Sequence, residues 1–416
     1  MLDVRPFSPR DKRYMEQVNR NAVPDLPLLS QASEIIRRTR SGEEAAFEPP
    51  RITREETAQA RNMVPEQFLT ALSLARVNLR KFHEYQRQRG YVHDDGDGVR
   101  LSRRVLPIAR LGVICPDSFV NLLTCAVPAQ VAGVGSIAVA ATPGEDRKPD
   151  PFLLATAHTL GIEEIHLLDS PDAAAAFAFG TSSIPKADKI VGGGDRLTEA
   201  VKCLARGSVG IDAPSCLSEL AVIADSGANA KFIAADLLAQ AMGEGQTCIP
   251  ALFTTDRLLA EAVRIELARM AEDCPERVML TLNGCGMLFV CQSLDEAVKA
   301  VNRLAPARVE LMTADNGECL ADIENAGAVF LGPWSPEAVG VSFAGMNPLL
   351  PVCGGARYAS GLGVDDFVKE TTIVEYGAER LLKTGRHLLA LAEAAHSPGH
   401  VAALRERLEL LRLAGE

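Results

Sequence analysis

What this chain lacks narrows it first. It has no excess of positive charge: 43 lysines and arginines stand against 54 aspartates and glutamates, a net charge of −11. A partner with a phosphate backbone would want a clustered basic face, so nucleic acid is not the expected ligand. The short basic runs, Arg37-Arg38-Thr39-Arg40 and Arg103-Arg104, read as solvated or ion-paired faces. No apolar run reaches transmembrane length, and Asp3, Arg5 and Arg10 interrupt any signal-peptide pattern at the start. No membrane partner and a cytoplasmic location are expected.

Metal and cofactor motifs are also missing. The ten cysteines contain no C-x-x-C pair, so buried free thiols are expected. Cys216, within Pro214-Ser215-Cys216-Leu217-Ser218, is the one that could face a site. There is no G-x-G-x-x-G. Gly192-Gly193-Gly194-Asp195 follows a strand and opens a helix over 196–206, where free N–H groups could bind an anion. Asp195, however, stands where its own carboxylate would cap that helix.

What is present is an α/β pattern. At 416 residues, with 47% apolar and 23% charged residues, the chain needs two or more packed units. Thr53-Arg54-Glu55-Glu56 carries a capping signal ahead of a helical stretch to about 90, and a polar hairpin follows at His93–Gly98. Buried strands then alternate with helices: 111–115, 136–141, 165–168 and 189–191, and again from 217 to 331. The fold class is α/β, with two tandem doubly wound, incomplete Rossmann-like parallel sheets, a helical N-terminal region and a helical C-terminal tail. The expected domains are 1–113 with 223–362, then 114–222, then a tail over 363–416. In such sheets ligands bind beyond the carboxyl ends of the strands.

Two long blocks carry a family resemblance. Residues 178–240 read AFGTSSIPKADKIVGGGDRLTEAVKCLARGSVGIDAPSCLSELAVIADSGANAKFIAADLLAQ, and 331–369 read LGPWSPEAVGVSFAGMNPLLPVCGGARYASGLGVDDFVK. The chain resembles the histidinol dehydrogenases, zinc- and NAD-linked enzymes of histidine biosynthesis, from about Ala58 to Arg407. The resemblance implies that fold and a homodimer with exchanged C-terminal helices. It also implies a small-molecule ligand in an inter-domain cleft.

Carried over residue by residue, the resemblance shows a changed site. The family's zinc positions fall on Gln240, Gly243, Val341 and His400, so two ligands have become glycine and valine. Its proton-transfer pair falls on Ala307 and Arg308, and arginine stays protonated at any working pH. Its NAD contacts fall on Ser118, in a shortened loop, and on Asp172 and Asp195, whose charges would repel an anionic cofactor. The substrate serine survives as Ser218, next to Glu219.

Zinc is therefore not expected, and NAD only in an altered mode. The substitutions point to loss of zinc-dependent histidinol oxidation. They favour a repurposed biosynthetic enzyme for a small anionic or amino-acid-like substrate. Ser218, Gln240, Arg308 and His400 would line its cleft, and Ser218, Arg308, Glu244 and Cys216 are the catalytic candidates. A non-catalytic ligand-binding or interaction subunit is the alternative from another class, and an NAD-dependent alcohol dehydrogenase with an unusual site is a third.

Overall fold

The structure, a computed structural model, describes residues 2–43, 49–116, 118–144, 148–214, 218–243 and 248–414. The chain divides into two units: Met1–Gln86 with Ile108–Phe367, and Arg87–Pro107 with Val368–Glu416.

The first unit holds two six-stranded sheets of matching topology. In one, the strands lie in the order Val4–Pro6, Met287–Val290, Cys248–Thr254, Ser218–Ala224, Arg308–Met312, Ala328–Leu331, all parallel. In the other the order is Arg51–Ile52, Glu164–Leu167, Ser136–Ala141, Arg110–Cys115, Lys189–Gly192, Gly210–Ile211, with only the short Arg51–Ile52 strand antiparallel. Each sheet grows one way from a central strand and then switches to its other side, as doubly wound sheets do. Helices cover both faces, so the strands read as near-continuous apolar runs. Every residue of Cys248–Thr254 is buried, and so are six of the seven in Ser218–Ala224.

Local chemistry sets the helix starts. Thr53 and Glu56 form the capping box that opens Arg54–Met63. Asp195 caps Arg196–Ala205 by accepting from the Thr198 N–H at 2.8 Å and the Thr198 hydroxyl at 2.7 Å. Just before it, Gly192 has φ +109°, and a Cβ there would lie 2.2 Å from the Ile114 carbonyl oxygen, so only glycine fits. Gly192 is also clamped: its N–H donates to Asp212 at 2.8 Å, and its carbonyl accepts from the buried Lys202 ammonium at 3.1 Å. Lys202 is held in turn by Asp212 at 2.5 Å and Glu199 at 3.1 Å, which keep it charged despite burial.

The second unit is an antiparallel three-stranded sheet, Val368–Tyr376, Val99–Pro107, Tyr91–Asp94, with the helices Ala378–Ala394 and Pro398–Leu413. Apart from a 3-10 turn at Val364–Phe367, the tail is thus helical only from Ala378. The β-branched and aromatic residues of Val368–Tyr376 make a nine-residue strand before it. The two helices meet where Leu408 packs on Gly385, and Leu391, Leu410 and Leu413 are left exposed.

The basic run at 37–40 has local partners. Arg37 binds Glu34 and Glu43, Arg38 lies 3.8 Å from Asp172, and Arg40 lies over the Phe179 ring. The nine described cysteines are free thiols, and five of them are buried. Among the described residues, no helix is long and apolar enough to cross a membrane.

Candidate active site

The polar residues of interest gather at one edge of the first sheet. Ser218 opens the strand Ser218–Ala224, and Arg308 opens Arg308–Met312, with Leu220 directly opposite Arg308. This is the amino edge of the parallel strands, not the carboxyl edge where ligands were expected. The helix Ala230–Met242, capped by Asn229, runs back to that edge. It buries Ile233, Leu237, Gln240 and Ala241 and puts Gln240 in its last turn.

A hydrogen-bonded chain links these side chains. The Ser218 hydroxyl donates to Gln240 Oε1 at 2.6 Å, and Gln240 Nε2 donates to Glu337 Oε2. Arg308 Nε lies 3.7 Å from the other Glu337 oxygen, and Arg308 Nη2 donates to the Pro348 carbonyl at 3.2 Å. The Glu337 N–H, at the start of the short helix Glu337–Ser342, donates to Glu310 Oε1 at 2.7 Å. Glu310, only 1% exposed in the middle of its strand, is in contact with the Asp236 carboxyl on the helix that carries Gln240.

Burial dominates the electrostatics. It pushes the Asp236, Glu310 and Glu337 carboxyls above the usual carboxylate range. The Asp236 charge lifts Glu310 further, while Arg308 and the Gln240 amide pull Glu337 partly back. Arg308 is thus ion-paired to Glu337, with a side chain 11% exposed.

Glu219, beside Ser218, has a structural role. Fully buried, it takes Arg20 in a fork, with contacts of 2.7 and 2.8 Å. It also accepts the Ala307 N–H at 3.0 Å and the Cys353 N–H at 2.8 Å, which fixes the backbone on either side of the site. Asn347 is likewise spent on structure: its amide donates to the Thr124 carbonyl at 2.7 Å.

The remaining sequence candidates fall elsewhere. Cys216 and Glu244 lie outside the described residues. His400 belongs to the second unit, exposed on Pro398–Leu413. Ser118 stands before the helix Phe119–Ala132 and makes no capping bond. Asp172 sits in the first turn of Ser170–Phe179, its carboxyl raised by burial against the pull of Arg38.

No three His, Cys, Asp or Glu side chains among the described residues converge as metal ligands. Gly243 and Val341 offer no donor, and Gln240 is already bonded on both sides. The described residues do not fit the family's zinc. The carboxyl edge of the second sheet does offer room for a dinucleotide. A cavity of about 770 Å³ there is lined by Pro116, Ala141, Thr142, Pro143, Lys148 and Met63 among others. Its walls are mostly apolar, as an aromatic ring of a cofactor requires.

The fold and the site define a two-sheet α/β chain with a buried acid-amide-hydroxyl network at one sheet edge and an apolar cavity at another. The histidinol dehydrogenase family pattern matches residues 33–408. "Histidinol dehydrogenase 2" of Nostoc sp. is 37% identical over 365 residues, 86% of this chain and 84% of that protein. "Histidinol dehydrogenase" of Bacillus cereus is 37% identical over 395 residues, covering 90% and 91%. The crystal structure of histidinol dehydrogenase from Elizabethkingia anophelis superposes with a TM-score of 0.87 at 28% identity, covering 99% and 98% of the two chains. The chain belongs to the histidinol dehydrogenase family.

These relatives overturn the expectation that histidinol oxidation has been lost. They carry the dehydrogenase name at 36–37% identity across most of this chain. The expectation rested on positions that had changed and did not count the carboxyls the fold brings beside Ser218 and Gln240. Asp236, Glu310 and Glu337 were all missed. The available signal was a glutamate inside the apolar strand Val309-Glu310-Leu311, since a charge in a buried parallel strand needs a reason.

Proposed function

We propose that the chain is an NAD-linked dehydrogenase of small amino alcohols of the histidinol type. The observation that carries this reading is the match to named histidinol dehydrogenases over 86–90% of the chain, with Ser218 and Gln240 in one bonded network. Three carboxyls, Asp236, Glu310 and Glu337, stand in this network with one guanidinium, Arg308, which pairs with Glu337. That balance suits a substrate carrying an ammonium group next to its alcohol.

Each residue has a physical task in this reading. Ser218 and Gln240 offer the substrate a hydroxyl and an amide held in fixed orientation by their mutual hydrogen bond. Arg308, tied to Glu337 and the Pro348 carbonyl, is a fixed positive charge that carries no proton in turnover. Pro116, Thr142, Pro143 and Lys148 would hold the dinucleotide, which when bound supplies the hydride acceptor. The reading includes a homodimer in the cytoplasm.

The test is a panel of amino alcohols assayed for NAD reduction, with and without added zinc. Histidinol should give the highest kcat/KM, and Ser218→Ala should lower it. A panel in which no amino alcohol reduces NAD would overturn the reading.

A further inference from the structure

Asp236, Glu310, Glu337 and Gln240 form a closed ring, and protein donors complete every junction except one. Glu337 donates its N–H to Glu310, and Gln240 donates its amide to Glu337. Asp236 and Gln240 are joined through one turn of the same helix, four residues apart. The remaining junction is carboxyl against carboxyl. Glu310 Oε2 is buried and receives no hydrogen bond from a described donor, and the only acidic side chain facing it from the helix is Asp236. The nearby cation, Arg308, points its bonds at Glu337 and the Pro348 carbonyl.

Two ionised carboxylates cannot touch in a site of low dielectric without a proton between them. We propose that Asp236 and Glu310 share a single proton, and that this proton closes the ring and holds Gln240 and Ser218 in place for the substrate. Both are positioning residues, and the part of the inference that concerns substrate rests on the function proposed above.

The electrostatics agree with the geometry. Burial raises both groups; contact with Asp236 raises Glu310, while the same hydrogen bond lowers Asp236. The proton therefore resides on Glu310 and bonds to the Asp236 carboxylate. The charged group facing the pair is Glu337 from its short helix, itself paired with Arg308. As pH rises and the proton leaves, the two carboxylates repel. The junction opens and the turn carrying Gln240 is released.

Two readouts test this on the full-length protein. Infrared difference spectroscopy should show a protonated carboxyl at neutral pH that titrates away in alkali, and that disappears in Asp236→Asn and in Glu310→Gln. The pH profile of kcat/KM for histidinol should have an alkaline limb. In Asp236→Asn, whose amide N–H is a permanent donor to Glu310, that limb should move up by at least about one pH unit. Asp236→Ala should lower kcat/KM at every pH and leave no such shift. Should Asp236→Asn fail to fold, Glu310→Gln supplies the donor from the other side and takes its place. A neutral-pH spectrum without the carboxylic acid band, or an alkaline limb unmoved by the amide variants, overturns the proposal. If no amino alcohol turns over, the proposed function falls by itself, while the infrared band still decides whether the pair holds its proton.

Discussion

The Ser218 hydroxyl donates to the side-chain oxygen of Gln240 at 2.6 Å, tying the first residue of a central strand to the last turn of the following helix. Gln240 is only 2% exposed, so this bond does more than orient two side chains. It satisfies an amide oxygen that water cannot reach.

Ser218→Ala should therefore cost about 1–3 kcal/mol of stability, the penalty for a buried acceptor left unpaired. It should also raise KM for the alcohol, because the amide loses its fixed orientation. Urea unfolding and initial rates on the same preparation separate the two effects.

Glu219→Ala should be worse for the fold. It removes the partner of Arg20, whose side chain is 7% exposed, together with the acceptor for the Ala307 and Cys353 amides. An uncompensated buried charge costs roughly 3–5 kcal/mol. Thermal unfolding should show a large loss of Tm or no folded protein, a far greater effect than Ser218→Ala produces.

Under the proposed function, Asp195 links stability to the expected affinity for NAD. Asp195→Ala should cost about 1 kcal/mol, because Thr198 loses its acceptor. Asp195→Asn keeps an acceptor at the cap and removes a negative charge near the expected cofactor position. Its stability should stay close to the parent, and its KM for NAD should fall several-fold. Paired melting curves and NAD titrations check both parts.

The pH dependence of the second sheet has a definite sign. Burial works against the charge of Glu164, but hydrogen bonds from Arg110 and His166 outweigh it and hold the carboxyl down at about 2. A carboxyl lowered in the folded state adds stability above its ordinary value of 4.5, and that stability is lost as pH falls from 4.5 towards 2. The gap in unfolding free energy between the parent and Glu164→Gln should shrink over that window and stay flat above it.

The family's metal positions can be rebuilt. A Cβ at Gly243 would meet nothing nearer than the Gln240 carbonyl oxygen at 3.2 Å and would lie 3.9 Å from Ser218 Cβ. Gly243→His combined with Val341→Asp should therefore fold and retain more zinc through dialysis than the parent, as measured by metal analysis. Equal zinc in the two proteins would contradict the conclusion that the described residues do not fit the ion.

Much of this molecule was legible in its sequence. Alternating apolar strands and helices gave two doubly wound sheets, because a strand buried on both faces has to be apolar along its length. Asp195 and the Thr53–Glu56 box were legible as caps because capping depends on residues three or four apart. The site was harder to read, since Ser218, Asp236, Arg308, Glu310 and Glu337 meet only through tertiary structure. Position-by-position comparison noticed what Gly243 and Val341 lacked. It could not notice that Glu310, hidden in an apolar strand, faces Asp236. Val368–Tyr376 reads as part of a helical tail in the sequence because its partner strand, Val99–Pro107, lies more than 250 residues earlier.

The most direct test of the account is to follow L-histidinol and NAD together in one reaction, with mass spectrometry for the alcohol and absorbance for the nicotinamide. Loss of hydrogen from histidinol that keeps pace with NAD reduction, and slows in Ser218→Ala, is the predicted result. Histidinol recovered unchanged, with no NAD reduced at any enzyme concentration and with zinc supplied, would contradict it.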